Sequence, residues 1–302
     1  MAGVFLCLLL SITASLALKR QAIDQLEVPA FAAGKLVAHV IFRNLSDASG
    51  LAASRTFKNV LYTHNDGAGG PNIYAINATS GALIATLRIA NATNHDWEDI
   101  AVGPCGDSSC IYIADSGNRH STSANTIYRV LEPDVMNMNM DQVLPLDSTA
   151  RYTWSEDESQ TLMVDPQGEV YLVGNIYSGR GMVSHLPKSA WGSPNIVNID
   201  TTQFLPIHTH HHDPVSGDIS MDGSELLIKT KSNIFYWKID GGDVMNSLTK
   251  TPVEVPYHNA GLGEAICWSA DGQNYYTLPE GHNPALYIYS RINAGNPGVI
   301  GK

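Results

Sequence analysis

Residues 95–103 read HDWEDIAVG, which sets Asp96, Glu98 and Asp99 within four positions, directly ahead of a short apolar run. Carboxylates this close repel one another unless water, a cation or a network of donors takes up the charge. The arrangement recurs. Asp47, Glu158, Asp218 and Glu264 each stand at the start of another short apolar run, and Asn65, Asp66, Asp115, Asn175, Lys231 and Glu280 close the run that follows. If the fold gathers these groups, they form a set of hard oxygen ligands, and mixed Asp, Glu and Asn suit Ca²⁺ better than Zn²⁺ or Fe. The candidate metal ligands are therefore Asp66, Glu98, Asp99, Glu158, Asp218, Glu264 and Glu280. Asn65, Asp115, Asn175 and Lys231 are candidate ligand-binding residues beside them. The competing reading is that Asp and Asn at strand ends cap turns and bind backbone amides, which either residue favours on its own.

Four histidines fall beside the same groups: His64 in Thr-His-Asn-Asp, His95 at the head of the first motif, and His120 and His282 after later runs. Histidine carries protons near neutral pH, so His64 and His95 are the candidate bases for attack on an ester or phosphoester polarised by a metal. The run His-Thr-His-His-His at 208–212 does not make a zinc site on an extended segment, where successive side chains point to opposite sides. No G-x-S-x-G elbow occurs, which excludes a serine hydrolase of the α/β type. Gly67-Ala-Gly-Gly70 follows a strand pattern with no helix pattern after it, so it is read as a loop and not as a phosphate cradle.

The elements that must position these residues are strands. Helical periodicity is nearly absent, and short runs of Val, Ile, Tyr and Leu alternate with Gly, Asn, Asp and Pro. Five segments share one plan, a polar start, an apolar strand, a turn and a second strand, beginning at Ser46, Asp96, Glu156, Ser216 and Gly261. A third strand follows each: NIYAIN, TIYRVL, GMVSHLP, NIFYWKI and ALYIYSR. With Leu51, Ile100, Leu162, Ile219 and Ile266 as equivalents, the spacings are 49, 62, 57 and 47 residues. Periods of this size with short strands indicate an all-β fold, a β-propeller of five blades, with six left open by the stretch 188–212. The run KLVAHVIF at 35–42 precedes the first repeat and is expected to close the ring as the outer strand of the last blade. The alternating VMNMNMDQV reads as an edge strand. In such a ring the start of each first strand and the end of each second strand share one face around the axis, so the scattered acidic groups converge.

Net charge is −11 over 302 residues, which argues against nucleic acid and anionic membranes as partners. Residues 4–17 form an uncharged apolar run ending in Ser-Leu-Ala, so 1–17 reads as a secretory signal, 18–34 as an N-terminal segment, and 35–302 as one propeller domain. The expected product is extracellular and monomeric. Sequons at Asn44, Asn77 and Asn91 agree with secretion, as does Cys105-Gly-Asp-Ser-Ser-Cys110, whose spacing fits a small disulfide loop. Cys267 lies in an apolar strand and reads as a buried thiol.

The segments THNDGAGGPNIYAINATSGALIATLRI, DWEDIAVG, VDPQGEVYLV, GDISMDG and GLGEAICWSADG resemble a group of secreted or bacterial uncharacterised β-propeller proteins, loosely related to esterase-like phytase and NHL-type propellers. The likeness runs over about residues 51–291. It implies acidic side chains at Asp66, Glu98, Asp99 and Glu264 and hence a shared central site. Where the group has Asp-x-Glu ahead of the third repeat, this chain has Glu158-Ser-Gln160, an amide in place of one carboxylate. Two functions follow as expectations. One is a secreted, Ca²⁺-dependent hydrolase of an ester or phosphoester at the channel mouth. The other is a non-catalytic propeller with structural Ca²⁺ that binds a protein, glycan or mineral. A sugar-oxidising enzyme or lyase would need a cofactor pocket for which the sequence shows no motif.

Overall fold

The computed structural model describes residues 28–67, 69–117, 124–155, 158–174, 179–208, 213–259 and 263–292. Two short strands come first, β1 (Ala30–Phe31) and β2 (Lys35–His39). The first repeat supplies β3 (Ala48–Ala53), β4 (Val60–Asn65), β5 (Asn72–Asn77) and β6 (Leu83–Ile89). The second supplies β7 (Trp97–Cys105), β8 (Ser108–Asp115), β9 (Asn125–Leu131), β10 (Asp141–Leu144) and β11 (Ser148–Thr153). The third supplies β12 (Ser159–Val164), β13 (Val170–Gly174), β14 (Arg180–Leu186), β15 (Val197–Asn198) and β16 (Gln203–His208). Then come β17 (Ser216–Ile219), β18 (Glu225–Lys229), β19 (Ile234–Lys238) and β20 (Val253–Val255), and finally β21 (Gly263–Trp268), β22 (Asn274–Pro279) and β23 (Ala285–Ile292).

These strands form five sheets. Their first strands, β3, β7, β12, β17 and β21, touch one another in that order and back to β3, which makes a ring. The fold is a five-bladed β-propeller, and Leu51, Ile100, Leu162, Ile219 and Ile266 all lie on the inner strands. Strand β2 pairs antiparallel with β23, so the closing strand expected from KLVAHVIF is present. β1 joins β23 as well.

The described part of the stretch, residues 188–208, makes no sixth blade. Its β15 runs parallel to β11 at the edge of blade two, and β16 is the outer strand of blade three. The Met-Asn alternation is not a strand either, because the edge strand begins after it, at Asp141, and runs parallel to β6 of blade one. Asn favours turns, so its alternation with Met136, Met138 and Met140 suits a turn as readily as an edge, and two-residue periodicity alone does not separate them.

Blade sides bury themselves against each other. Side chains alternate along a strand, so each middle strand offers one row to each neighbouring blade, and both rows must be apolar. In β4, Val60 and Tyr62 pack toward blade two, whereas Leu61 packs toward blade five. The buried hydrophobic residues accordingly fall into five clusters, one between each pair of adjacent blades. Tight hairpins link first to second strands, and at the turns of blades three, four and five Gly168, Gly223 and Gly272 have φ of 75°, 71° and 65°, the left-handed region that favours glycine.

Candidate metal centre

The face where first strands begin and second strands end carries the acidic groups. Asp66 follows β4, and its backbone N–H donates to Asp47 O at 2.9 Å. Asp96 and Glu98 lie at the head of β7, where the Asp96 N–H is held by Asp115 Oδ1 at 2.9 Å. One carboxylate oxygen from each of Asp66, Asp96 and Glu98 lies within 4.8 Å of the others, and all three side chains are buried. Gly117 permits this. A Cβ there would sit 2.1 Å from Glu98 Oε1 and 2.2 Å from Asp96 Oδ2, so any other residue would fill the space between the carboxylates.

Burial pushes the Glu98 carboxyl well above its ordinary range, and the charges of Asp66, Glu158, Asp96 and Glu264 push it further. Glu264 is raised to about 9 by burial, by a hydrogen bond and like charge from Glu280, and by Asp66, with Lys231 opposing. These interactions show that Asp66, Glu98, Glu158, Glu264 and Glu280, from four different blades, share one mouth. Asp96 completes the tightest part of it. It stands in the opening motif but ahead of the apolar strand pattern, which is why residue-by-residue reading passed it over.

Asp99 and Asp218 go elsewhere. Asp99 is fully buried one residue deeper, where it accepts from the N–H of Leu162 and Ile100 and from Ser216 Oγ at 2.9–3.0 Å. Asp218 accepts from the Trp268 N–H at 2.8 Å and lies near Arg55. Both bind strand amides of neighbouring blades inside the channel and are not part of the mouth. Asn65 does the same at the rim: its Oδ1 accepts from the N–H of Ser46 and Asp47, and its amide donates to Asn44 O. Asp115 accepts from the N–H of His95 and Asp96. Lys231 donates its backbone N–H to Asp213 and brings its charge near Glu264. Asn175, His120 and His210–His212 lie outside the described residues.

The histidines divide. His64 is sealed in the wall: its Nδ1 lies 3.0 Å from Asn65 O, Nε2 has no hydrogen-bond partner among the described residues, and the ring makes a T-shaped contact with Trp97. Burial pulls it down to about 4, so it stays neutral and does not reach the mouth. His95 is on the rim, with 46% of its side chain exposed and Nδ1 3.2 Å from Asp115 Oδ2. His282 is exposed.

Lys229 escaped the sequence reading. It is fully buried at the end of β18, opposite Ser216, the position that Asn65 and Asp115 hold in their blades. Its Nζ donates to Thr230 O and Gly263 O at 2.7 and 2.6 Å and lies 4.4 Å from the Tyr257 ring. Burial lowers it to about 7, with Asp213 and Glu264 opposing. A lysine closing an otherwise apolar strand was the available signal. Elsewhere, Cys105 and Cys110 form the expected disulfide and Cys267 is a buried free thiol. Asn44 and Asn91 are exposed, and Asn77 is half-buried with its Oδ1 accepting from the Thr79 and Ser80 N–H.

No protein-family model matches the chain, and no curated protein matches it. Solved structures do. The PQQ-bound aldose sugar dehydrogenase of Streptomyces coelicolor is 11% identical, with a TM-score of 0.52, over 87% of this chain and 99% of that one. The PQQ domain of pyranose dehydrogenase from Coprinopsis cinerea is 11% identical, with a TM-score of 0.46, over 83% of each chain. Hydrazine synthase of Kuenenia stuttgartiensis is 13% identical, with a TM-score of 0.43, over 82% and 84%. At this identity the first likeness speaks for the propeller fold alone, and kinship to esterase-like phytase or NHL-type propellers finds no support in these comparisons.

Proposed function

We propose that this chain is a secreted propeller whose mouth binds Ca²⁺ through Asp66, Asp96 and Glu98 and hydrolyses an ester or phosphoester there. The observation that carries the reading is the convergence of three buried carboxylates within 4.8 Å. Held so close in a buried place, they favour either a proton or a cation between them. The donors are oxygens only, which fits Ca²⁺ and fits Zn²⁺ poorly. Glu158 and Glu264 stand near enough to act on Glu98 and would complete the coordination.

A bound Ca²⁺ would polarise the substrate's carbonyl or phosphoryl oxygen. The protein supplies the base. His95 directly precedes Asp96, and Asp115 holds its Nδ1, which fixes the ring and leaves Nε2 to take a proton from water. The sealed His64 has no part in this step. Secretion and glycans at the exposed Asn44 and Asn91 belong to the same proposal, resting on the signal-like run at 4–17. Among the described residues no helix is long and apolar enough to cross a membrane.

PQQ, which the first two of those structures carry in their names, does not fit this mouth. It is a polycarboxylate quinone, and here it would face Asp66, Asp96, Glu98, Glu158, Glu264 and Glu280 with Lys231 and the buried Lys229 as counter-charges beside Glu264.

Metal analysis of the purified protein, followed by turnover of p-nitrophenyl acetate and p-nitrophenyl phosphate with and without EDTA, tests the reading. Bound Ca²⁺ and EDTA-sensitive turnover are expected, with Glu98→Gln abolishing both and His95→Ala lowering kcat about 10²-fold or more while Ca²⁺ stays bound. Stoichiometric Ca²⁺ without turnover of either ester would instead favour the non-catalytic binding propeller, which the sealed position of His64 also favours. A protein that purifies and refolds without any divalent ion, and gains no stability when Ca²⁺ is added, would end both readings.

A further inference from the structure

Ionised carboxylates offer only acceptors, yet an ester under attack builds negative charge on an oxygen and needs a donor there. The seam between blades four and five supplies one. Leaving β20, the chain crosses on the mouth side and enters β21, and Tyr257 stands on this crossing. Both neighbours of Tyr257 are pinned. Tyr275 donates its hydroxyl to Pro256 O, and the His258 N–H donates to the Tyr289 hydroxyl at 3.0 Å. The rings of Tyr275 and Tyr289 stack with centroids 4.5 Å apart, so the two anchors brace each other.

The phenol of Tyr257 is directed at the inner strand. A Cβ on Gly263 would sit 2.2 Å from its hydroxyl oxygen and 3.3 Å from Lys229 Nζ. Gly263 opens β21 and pairs with Pro279, the place that Ala48, Trp97, Ser159 and Ser216 hold in the other four blades. The hydroxyl thus takes the space of an inner-strand side chain, one residue from Glu264. Lys229 holds the ring by its face, and its ammonium is already engaged by Thr230 O and Gly263 O. The Tyr257 hydroxyl itself takes part in no hydrogen bond among the described residues, and the residue is only half-buried. A phenol keeps its proton at neutral pH, so this is a fixed donor with nothing to donate to.

We propose that Tyr257 is a catalytic residue of the mouth: its O–H donates to the oxygen that gains negative charge when water attacks an ester held there. The inference rests on the hydrolytic reading of the mouth and adds the group that receives the charge. The water oxygen bonds to the carbonyl carbon, the π pair moves onto the carbonyl oxygen, and His95 takes the water proton. The phenol holds the oxyanion and keeps its own proton. Collapse of the oxyanion expels the alkoxide, which takes the proton from His95. In a ring of five, the seam between blades four and five lies opposite blade two, which carries His95, Asp96 and Glu98. A substrate at the axis then lies between base and donor.

The test compares p-nitrophenyl acetate turnover, Ca²⁺ affinity and the urea midpoint for the full chain and for Tyr257→Phe, which loses one oxygen and keeps its ring on Lys229. The variant is expected to lower kcat about 10²-fold, the loss typical of one such donor, with the Kd for Ca²⁺ and the midpoint unchanged. A side chain that only packs would leave kcat alone, or would move Ca²⁺ affinity and midpoint together with it; either result overturns the proposal. Wild type that binds Ca²⁺ but turns over no ester sinks the hydrolytic reading and this proposal with it, whereas equal turnover by parent and variant sinks only the role of Tyr257. If the variant does not fold, the parent decides. With its tyrosine rings labelled with ¹³C, the Tyr257 resonance, identified by its contact with Lys229, should move when methylphosphonate is added to the Ca²⁺-loaded protein. A resonance that stays in place overturns the proposal.

Discussion

His64 stands two residues before Asp66 and ends in a different environment, because His64 still lies within β4 with its ring packed against Trp97, whereas Asp66 lies past the end of the strand, at the mouth. Its depressed pKa is a stability statement. The unfolded chain protonates this ring near 6.5, whereas the native one does so only at about 4. The native state is therefore favoured above 6.5, and the advantage is lost as pH falls from 6.5 to 4, up to about 3 kcal/mol. Asp218 works in the opposite direction: burial raises it to about 7, so over roughly 4–7 it stabilises the fold as pH falls. The raw pH profile sums both. The difference between wild type and His64→Leu isolates the first, and urea midpoints from pH 7 to 4 should show the variant losing less stability than the parent across that window. Parallel profiles would contradict the sealed, neutral imidazole.

At the scale of strands, the same residue types at neighbouring positions serve two purposes. Glu98 and Glu264 face the mouth, while Asp99 and Asp218, one residue further along their strands, tie blades together within the channel. Asp99 of blade two reaches Leu162 N–H of blade three and Ser216 of blade four, and Ser216 Oγ in turn accepts from the Ile266 N–H of blade five. Ser49 donates to Glu98 O and Ser116 to Ser159 O, so polar side chains bridge the ring where apolar packing gives out at the axis. Asp99→Ala would strand several buried donors at once and should lower stability by about 3–5 kcal/mol, read from the urea midpoint. In the Ca²⁺-free protein Glu98→Gln should not, since there it only removes a like charge from the mouth. The sequence could not separate these two sets. Acidic residues at the start of a strand were legible, and so was their convergence on one axis. Which of two adjacent carboxylates faces the open mouth depends on the bulge that shifts the register between Trp97 and Asp99, and side-chain pattern does not report a bulge. Lys229 was hidden for a related reason: a cation in an apolar strand reads as an exposed end until the carbonyls that receive it are seen.

The architecture as a whole was more legible than its site, because five repeats of one strand plan leave few other ways to bury both faces of each sheet. The stretch 188–212 looked spacious enough for a blade only because its two strands serve blades two and three separately. Closure is where the ring is most exposed to failure. The last sheet takes its outer strands, β1 and β2, from the beginning of the chain, so β23 holds its partner across nearly the full sequence length. Without that partner β23 would present an open edge, which invites pairing with another molecule. The same segment carries Phe31, which packs on Trp268 and Tyr275, and Val40, buried between blades five and one. Removing residues 28–42 should thus give larger, concentration-dependent oligomers than the full chain forms, by size-exclusion chromatography, and lower the cooperativity of unfolding. Phe31→Ala keeps the strand while emptying its anchor, and should cost about 3–5 kcal/mol without changing the elution volume of the full chain. If the truncated chain kept the oligomeric state and the urea midpoint of the full chain, the ring would have to be held by the inner strands and the five interblade clusters alone.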